Sequence, residues 1–141
     1  MPQLASTRVQ IGVDIVGVER VRRLATENPD ILTRLFTRRE LEYCQGKRRC
    51  YDHLAARFAG KEAVLKAFGT GLNRPMQWTD VEIINDATGR PHVHLSGEFG
   101  EWVRTRGFVE PVSSLDISLS HSDGMAIAQV IAVWGSEESS S

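Results

Sequence analysis

Residues 56–71 read ARFAGKEAVLKAFGTG. Placed on a wheel at about 100° per residue, this segment and its flanks make two apolar arcs instead of one. Leu54, Phe58, Val64, Leu65 and Phe68 form an arc of large side chains. Ala56, Ala59, Gly60, Ala63 and Ala67 form the opposite arc, small throughout. A surface helix would be polar on one of these sides. Small residues let a second backbone come close, so the spacing predicts a helix from about Asp52 to Phe68, packed on both sides. Its charges, Arg57, Lys61, Glu62 and Lys66, must then be paired or aimed into a polar cleft. On an exposed helix, Glu62 and Lys66 would be an i,i+4 pair worth about 0.3 kcal/mol, and Lys61 would snorkel. A carboxylate between two lysines suits a site that holds both a cation and an anionic substrate.

Gly69-Thr70-Gly71 closes this helix. It reads either as a plain stop with a left-handed glycine cap or as a loop of backbone N–H groups and a hydroxyl that cradles phosphate. A Walker A loop is excluded, because its helix begins at the glycine loop, whereas this one ends there. Ala55 also stands where the first glycine of that motif belongs, and Glu62 where Ser or Thr belongs.

Outward from this helix, VQIGVDI (9–15) alternates: Val9, Ile11, Val13 and Ile15 on one side, Gln10, Gly12 and Asp14 on the other. That predicts a strand whose apolar side is its one buried face. A helix follows, with Val18, Val21, Leu24 and Ala25 on one side and Arg20 and Arg23 opposite. Asn28-Pro29 is expected to open a second helix, and Thr37-Arg38-Arg39-Glu40 carries the capping-box pattern of a third. DVEIIND and RPHVHLS flank a turn with Asp86 and Gly89, which reads as a hairpin. GEFGEWVRTRG is a short helix stopped by Gly107. SLDISLSH alternates again, Asp123-Gly124 is a hairpin turn, and the nearly continuous apolar run MAIAQVIAVW is expected at the centre of a sheet. This order predicts an α+β fold with an antiparallel sheet packed against helices. It forms one domain over residues 1–135, with a polar tail (136–141) expected to be disordered.

The whole chain of 141 residues carries 17 Lys+Arg against 18 Asp+Glu, a net charge of −1, so neither a nucleic acid nor an anionic membrane is expected as a partner. No apolar run approaches the roughly 20 residues of a membrane span. Cys44 and Cys50 have no zinc spacing and read as reduced thiols of a cytoplasmic protein.

Four further positions carry chemistry. Asp14 lies opposite the apolar row of its strand, just before a helix. It is a helix-entry cap or a metal ligand, and Mg²⁺ takes one or two carboxylates besides phosphate oxygens and water. Asp14 and Glu62 are candidates for those two. His121 stands at a strand end, where a structural role competes with a functional one. His92 and His94 share a strand face without a third ligand nearby in sequence. Arg20 and Arg23 form a solvated face or a docking surface for an acidic partner.

Three separated segments resemble the holo-acyl-carrier-protein synthase family, the small 4′-phosphopantetheinyl transferases. GVDIVGVER (12–20) is similar to its G-x-D-I-x-x-x-x-R pattern. FAGKEAVLKAFGTG (58–71) is similar to F-x-x-K-E-A-x-x-K-A-x-G-T-G, and SLSHSDGMAIAQVI (118–131) to its C-terminal S-L-S-H segment. Gly60 departs from the family, which more often has alanine there.

The resemblance implies the 4′-phosphopantetheinyl transferase fold and an activity: transfer of the 4′-phosphopantetheine arm of coenzyme A to a serine of an apo acyl carrier protein, with Mg²⁺. It implies Asp14 and Glu62 as metal ligands and, with Lys66, as catalytic residues. Arg57, Lys66, Gly69, Thr70, Gly71 and His121 are expected to bind coenzyme A, and Arg20 and Arg23 to dock the carrier. It also implies a homotrimer with each site at a subunit boundary. Whether the carrier serves fatty-acid or polyketide synthesis stays open. Two other readings remain: a Mg²⁺-dependent nucleotide phosphohydrolase, and a non-catalytic coenzyme A-binding module.

Overall fold

A computed structural model describes residues 8–135. The elements run β1 (Arg8–Gly17), α1 (Val18–Glu27), α2 (Ile31–Leu35), α3 (Arg38–Gln45), α4 (Cys50–Ala67), a 3₁₀ turn (Trp78–Asp80), β2 (Val81–Asn85), β3 (Pro91–Leu95), α5 (Gly97–Thr105), β4 (Ser114–Ser122) and β5 (Met125–Trp134). The expected tail, 136–141, lies outside the described residues. β1, β5 and β4 form an antiparallel sheet with β5 in the middle, and β2 pairs with β3 as a separate hairpin. The central place of the apolar run in β5 and both predicted hairpins are thus present. The Asp123-Gly124 turn has φ of 53° and 76°, the left-handed pair that a two-residue hairpin requires.

α4 is the axle of the fold. Leu54 to Lys61 are all buried, and so are Ala63, Val64, Leu65 and Ala67. Its small arc presses on the sheet. A Cβ at Gly12 would overlap the Ala63 carbonyl oxygen and come within 2.8 Å of the Ala67 amide. Here α4 lies nearly backbone to backbone on β1. We expect Gly12→Ala to cost about 3 kcal/mol or more, since neither clashing group can move alone; a urea melt within about 1 kcal/mol of wild type would contradict this packing. On the other side of α4, Phe68 meets Phe99, Phe108 and Trp134 edge-on at centroid distances of 5.0–5.8 Å. Gly60 has a local reason as well: a methyl there would come to 2.5 Å of Ile83 Cδ1 and 3.0 Å of Ile117 Cδ1, the space those two side chains fill.

Two expectations need correction. The second helix starts at Ile31, not at Asn28-Pro29; the Asn28 carbonyl instead accepts from the Ile31 amide in a turn ahead of it. More consequential is the sense of β1. The Gly12, Asp14 and Val16 side faces α4, while Val9, Ile11, Val13 and Ile15 are exposed. The close approach of α4 admits only the side that bears a glycine. Across the register, Ile11 pairs with Ile131 and Ile15 with Ile127, and both partners are exposed too. The sheet therefore carries a contiguous apolar face that the described residues do not cover, of the sort that marks an interface.

Candidate active site

The site grows from the contact of α4 with β1. Asp14 sits mid-strand on the helix side, and Glu62 and Lys66, one turn apart on α4, lie beside it. Lys66 Nζ donates to Asp14 Oδ1 at 3.0 Å and to the Val13 carbonyl at 3.0 Å. Burial pushes the Glu62 carboxyl above its ordinary range and the Asp14 charge adds to this; Lys66 and Arg20 oppose it. So Asp14, Glu62, Lys66 and Arg20 share one electrostatic neighbourhood. Two neighbouring carboxylates, with the charge of Asp14 bearing on Glu62, form a hard oxygen donor set, and a divalent cation would relieve the repulsion. The pair fits Mg²⁺ on that ground. Among the described residues no three metal-ligating side chains cluster, so any further ligands would come from substrate and water. His92 is engaged with Asp86 at 2.8 Å.

Lys61 does not point to this site. It is fully buried, and its Nζ donates to Glu40 Oε1 at 2.8 Å and to the carbonyls of Trp78 and Val81. Glu40 in turn caps α3 through the Thr37 amide at 2.8 Å and accepts from the Ile83 amide at 2.8 Å. One carboxylate thus ties α3, α4 and β2 together. Burial lowers the Lys61 ammonium from its usual range and Glu40 pulls it back up. The capping box marks Glu40 in the sequence, but nothing there signals that Lys61, 21 residues on, is its partner.

Gly69 adopts φ of 72°. Its amide donates to Lys66 O and the Thr70 amide to Leu65 O, both at 3.0 Å, a helix cap of the Schellman type. Thr70 Oγ1 donates to the Gly71 carbonyl at 2.9 Å. Two of the loop's amides are thus committed to ending the helix.

His121 lies at the opposite end of α4. Its Nδ1 is 3.6 Å from Asp52 Oδ2, and its ring meets that of His53 edge-on at 5.7 Å. Asp52 and His121, with Arg49, line a cavity of about 420 Å³, adjoined by a second cavity with Arg22, Arg48 and Arg49 on its wall. Arg49 belongs to the basic run GKRR (46–49), which reads in the sequence either as a solvated loop or as a loop that helps to hold a ligand phosphate; Asp52 carries no such signal. Arg57 is 2% exposed. It donates to Asn85 Oδ1 and the His53 carbonyl and stacks on Tyr43 at 4.5 Å, so its guanidinium is turned inward. From Asp52 to Lys66 the helix rises about 21 Å. In one chain, Asp14, Glu62 and Lys66 therefore form one group, the GTG turn follows at the C-terminal end of the helix, and His121 stands apart near its N-terminal end. Arg20 and Arg23 are exposed on α1 beside the first group.

With this geometry in hand, comparison with known proteins is direct. A holo-(acyl-carrier-protein) synthase of Geotalea daltonii is 46% identical over 121 residues, which covers 85% of this chain and 94% of that protein. One of Geobacter sulfurreducens is 44% identical over 121 residues, 85% and 93% of the two chains. The crystal structure of the Neisseria meningitidis synthase superposes with a TM-score of 0.77 at 30% identity, over 87% of this chain and 96% of that one. A Bacillus anthracis synthase in complex with CoA (3′,5′-ADP) gives 0.72 at 29% identity, over 91% and 98%. The family model described as the 4′-phosphopantetheinyl transferase superfamily matches residues 10–120, and the chain belongs to that family.

Proposed function

We infer that this chain is a holo-acyl-carrier-protein synthase, which transfers the 4′-phosphopantetheine arm of coenzyme A to a serine of an apo acyl carrier protein. The observation that carries the residue assignment is the Asp14–Glu62–Lys66 group at the α4–β1 contact. The serine Oγ attacks the β-phosphorus of coenzyme A. The new P–O bond forms as the bond to the bridging oxygen breaks, and adenosine 3′,5′-bisphosphate leaves. Asp14 and Glu62 would hold Mg²⁺, which when bound supplies positive charge to the pyrophosphate. Lys66, whose ammonium now balances Asp14, neutralises the leaving phosphate oxygen. Glu62 takes the serine proton, a task suited to a carboxyl raised by its surroundings.

The remaining coenzyme A ligands in this reading, His121 and the GTG turn, stand at opposite ends of α4. Both can meet one donor if the site is shared between neighbouring copies. The uncovered face of β1 and β5 supports this: Ile11 is 59% and Ile131 40% exposed. We therefore propose a homotrimer with each site at a subunit boundary, where His121 and Arg49 of one copy hold the nucleotide end and Arg57 braces that region from within. Ile11→Asp should convert a trimer into monomers and remove activity; light scattering that gives an unchanged mass would reject this face as the interface. We place the reaction in the cytoplasm, where Cys44 and Cys50 remain free thiols.

Arg20 and Arg23 would receive acidic side chains of the carrier. Arg20→Glu is expected to raise the KM for the carrier roughly tenfold, with kcat changed less than about threefold. A KM that stays at the wild-type value and keeps its salt dependence would sink the docking role. The reaction itself is tested by following adenosine 3′,5′-bisphosphate with and without apo carrier. Release that depends on the carrier supports transfer. Carrier-independent phosphate release favours a phosphohydrolase, and metal-independent binding without turnover favours a binding module.

A further inference from the structure

A cavity of about 510 Å³ opens at the C-terminal end of α4, beside Gly69 and Thr70. Arg8, Arg106, Trp102, Trp134, Thr70 and Asn73 line it, and among the described residues no carboxylate does. Arg8 and Trp134 are register partners on the helix side of the sheet, with the guanidinium carbon 4.6 Å from the indole centroid. Arg106 lies over Trp102 at 4.7 Å, and Trp134 Nε1 donates to the Arg106 carbonyl at 3.1 Å, which ties the two stacks together. Asn73 Nδ2 donates to Thr70 Oγ1 at 3.3 Å.

Neither Arg8 nor Arg106 belongs to an ion pair among the described residues. A guanidinium stacked on an indole has one face covered, while its in-plane N–H donors stay free for a planar or tetrahedral oxyanion. Two such cations on one concave wall focus positive potential into it. The GTG turn contributes little of this, because the Gly69 and Thr70 amides are spent in the helix cap. The anion selectivity must come from the two arginines.

We propose that this cavity is a second phosphate-binding site, distinct from the Asp14–Glu62 pair, which takes a phosphate or pyrophosphate dianion between Arg8 and Arg106. The anion is either a phosphate of the coenzyme A donor or a free phosphate species. The first source rests on the transferase reading; the cavity does not.

The probe is inorganic pyrophosphate in the presence of a chelator, followed by calorimetry and by the fluorescence of the two lining tryptophans. Arg8→Gln and Arg106→Gln should each weaken binding roughly tenfold, with partial rescue by Arg8→Lys and Arg106→Lys. Asp14→Asn and Glu62→Gln should leave it unchanged. Circular dichroism melts check that each variant is folded. Pyrophosphate binding that is indifferent to both arginines, or that fails up to about 10 mM in the wild type, overturns the proposal. So does binding lost only in the carboxylate variants. The source is read from the KM for coenzyme A in the arginine variants. A roughly tenfold rise assigns the anion to the donor, and an unchanged KM with lost pyrophosphate binding assigns it to a free anion; both support the site. Should the wild type transfer nothing, the pyrophosphate titration still decides on the cavity.

Discussion

Glu62→Gln is expected to lower kcat by roughly a thousandfold, and Asp14→Asn by a similar factor. Each change removes half of the oxygen donor pair beside Lys66, and the first also removes the proton acceptor. The loss should not come from unfolding. Burial and the Asp14 charge hold the Glu62 carboxyl above its unfolded value, so its ionised form is disfavoured in the folded state. Glu62 therefore opposes folding at neutral pH, and that opposition fades as pH falls through the raised value. A neutral glutamine removes it. The melting temperature of Glu62→Gln should thus equal or slightly exceed that of the wild type. Near-normal turnover in either variant would remove the carboxylate pair from the mechanism.

The second large effect concerns stability. Lys61→Met should cost about 3–5 kcal/mol, because it leaves the fully buried Glu40 carboxyl group without the Lys61 ammonium. For a domain this is about a fifth or more of a typical total of roughly 5–15 kcal/mol. Combining Lys61→Met with Glu40→Gln should recover a good part of the loss, with a coupling of about 1–3 kcal/mol in a double-mutant cycle. The glutamine oxygen can still accept from one of the two amides that Glu40 serves. Urea unfolding reads all four corners of the cycle. A loss below about 1 kcal/mol for Lys61→Met alone would mean that the pair is not the tie between α3, α4 and β2.

The sequence was most legible where one element decides its own environment. The two apolar arcs of α4, the run of β5 and the Asp123-Gly124 turn each carry their own signal, and the α+β fold follows from them. β1 was read with its faces exchanged. Alternation reports that a face must be covered, but not by what. The glycine at position 12 shows which face meets α4, and the row of Val9, Ile11, Val13 and Ile15 stays exposed among the described residues. Lys61 is illegible for a related reason: its partner Glu40 belongs to a separate helix, brought near only by the tertiary fold. Glu62 draws notice because a charged residue on a helix without a wet side needs a destination, and Asp14 because it stands opposite the apolar row of its strand; the fold places the two carboxylates side by side. The GTG turn kept its two readings in the sequence, and in the structure its amides serve the helix cap. His121 was picked out, but its distance from Glu62 along α4 appears only once the strands are placed.

Transfer of the arm is read from the mass of the carrier. An apo acyl carrier protein is incubated with this protein, coenzyme A and Mg²⁺, and examined as an intact protein. The carrier's serine is expected to gain one phosphopantetheine arm, matched by release of adenosine 3′,5′-bisphosphate and absent with Glu62→Gln. An unchanged mass across a panel of fatty-acid and polyketide carriers would contradict it.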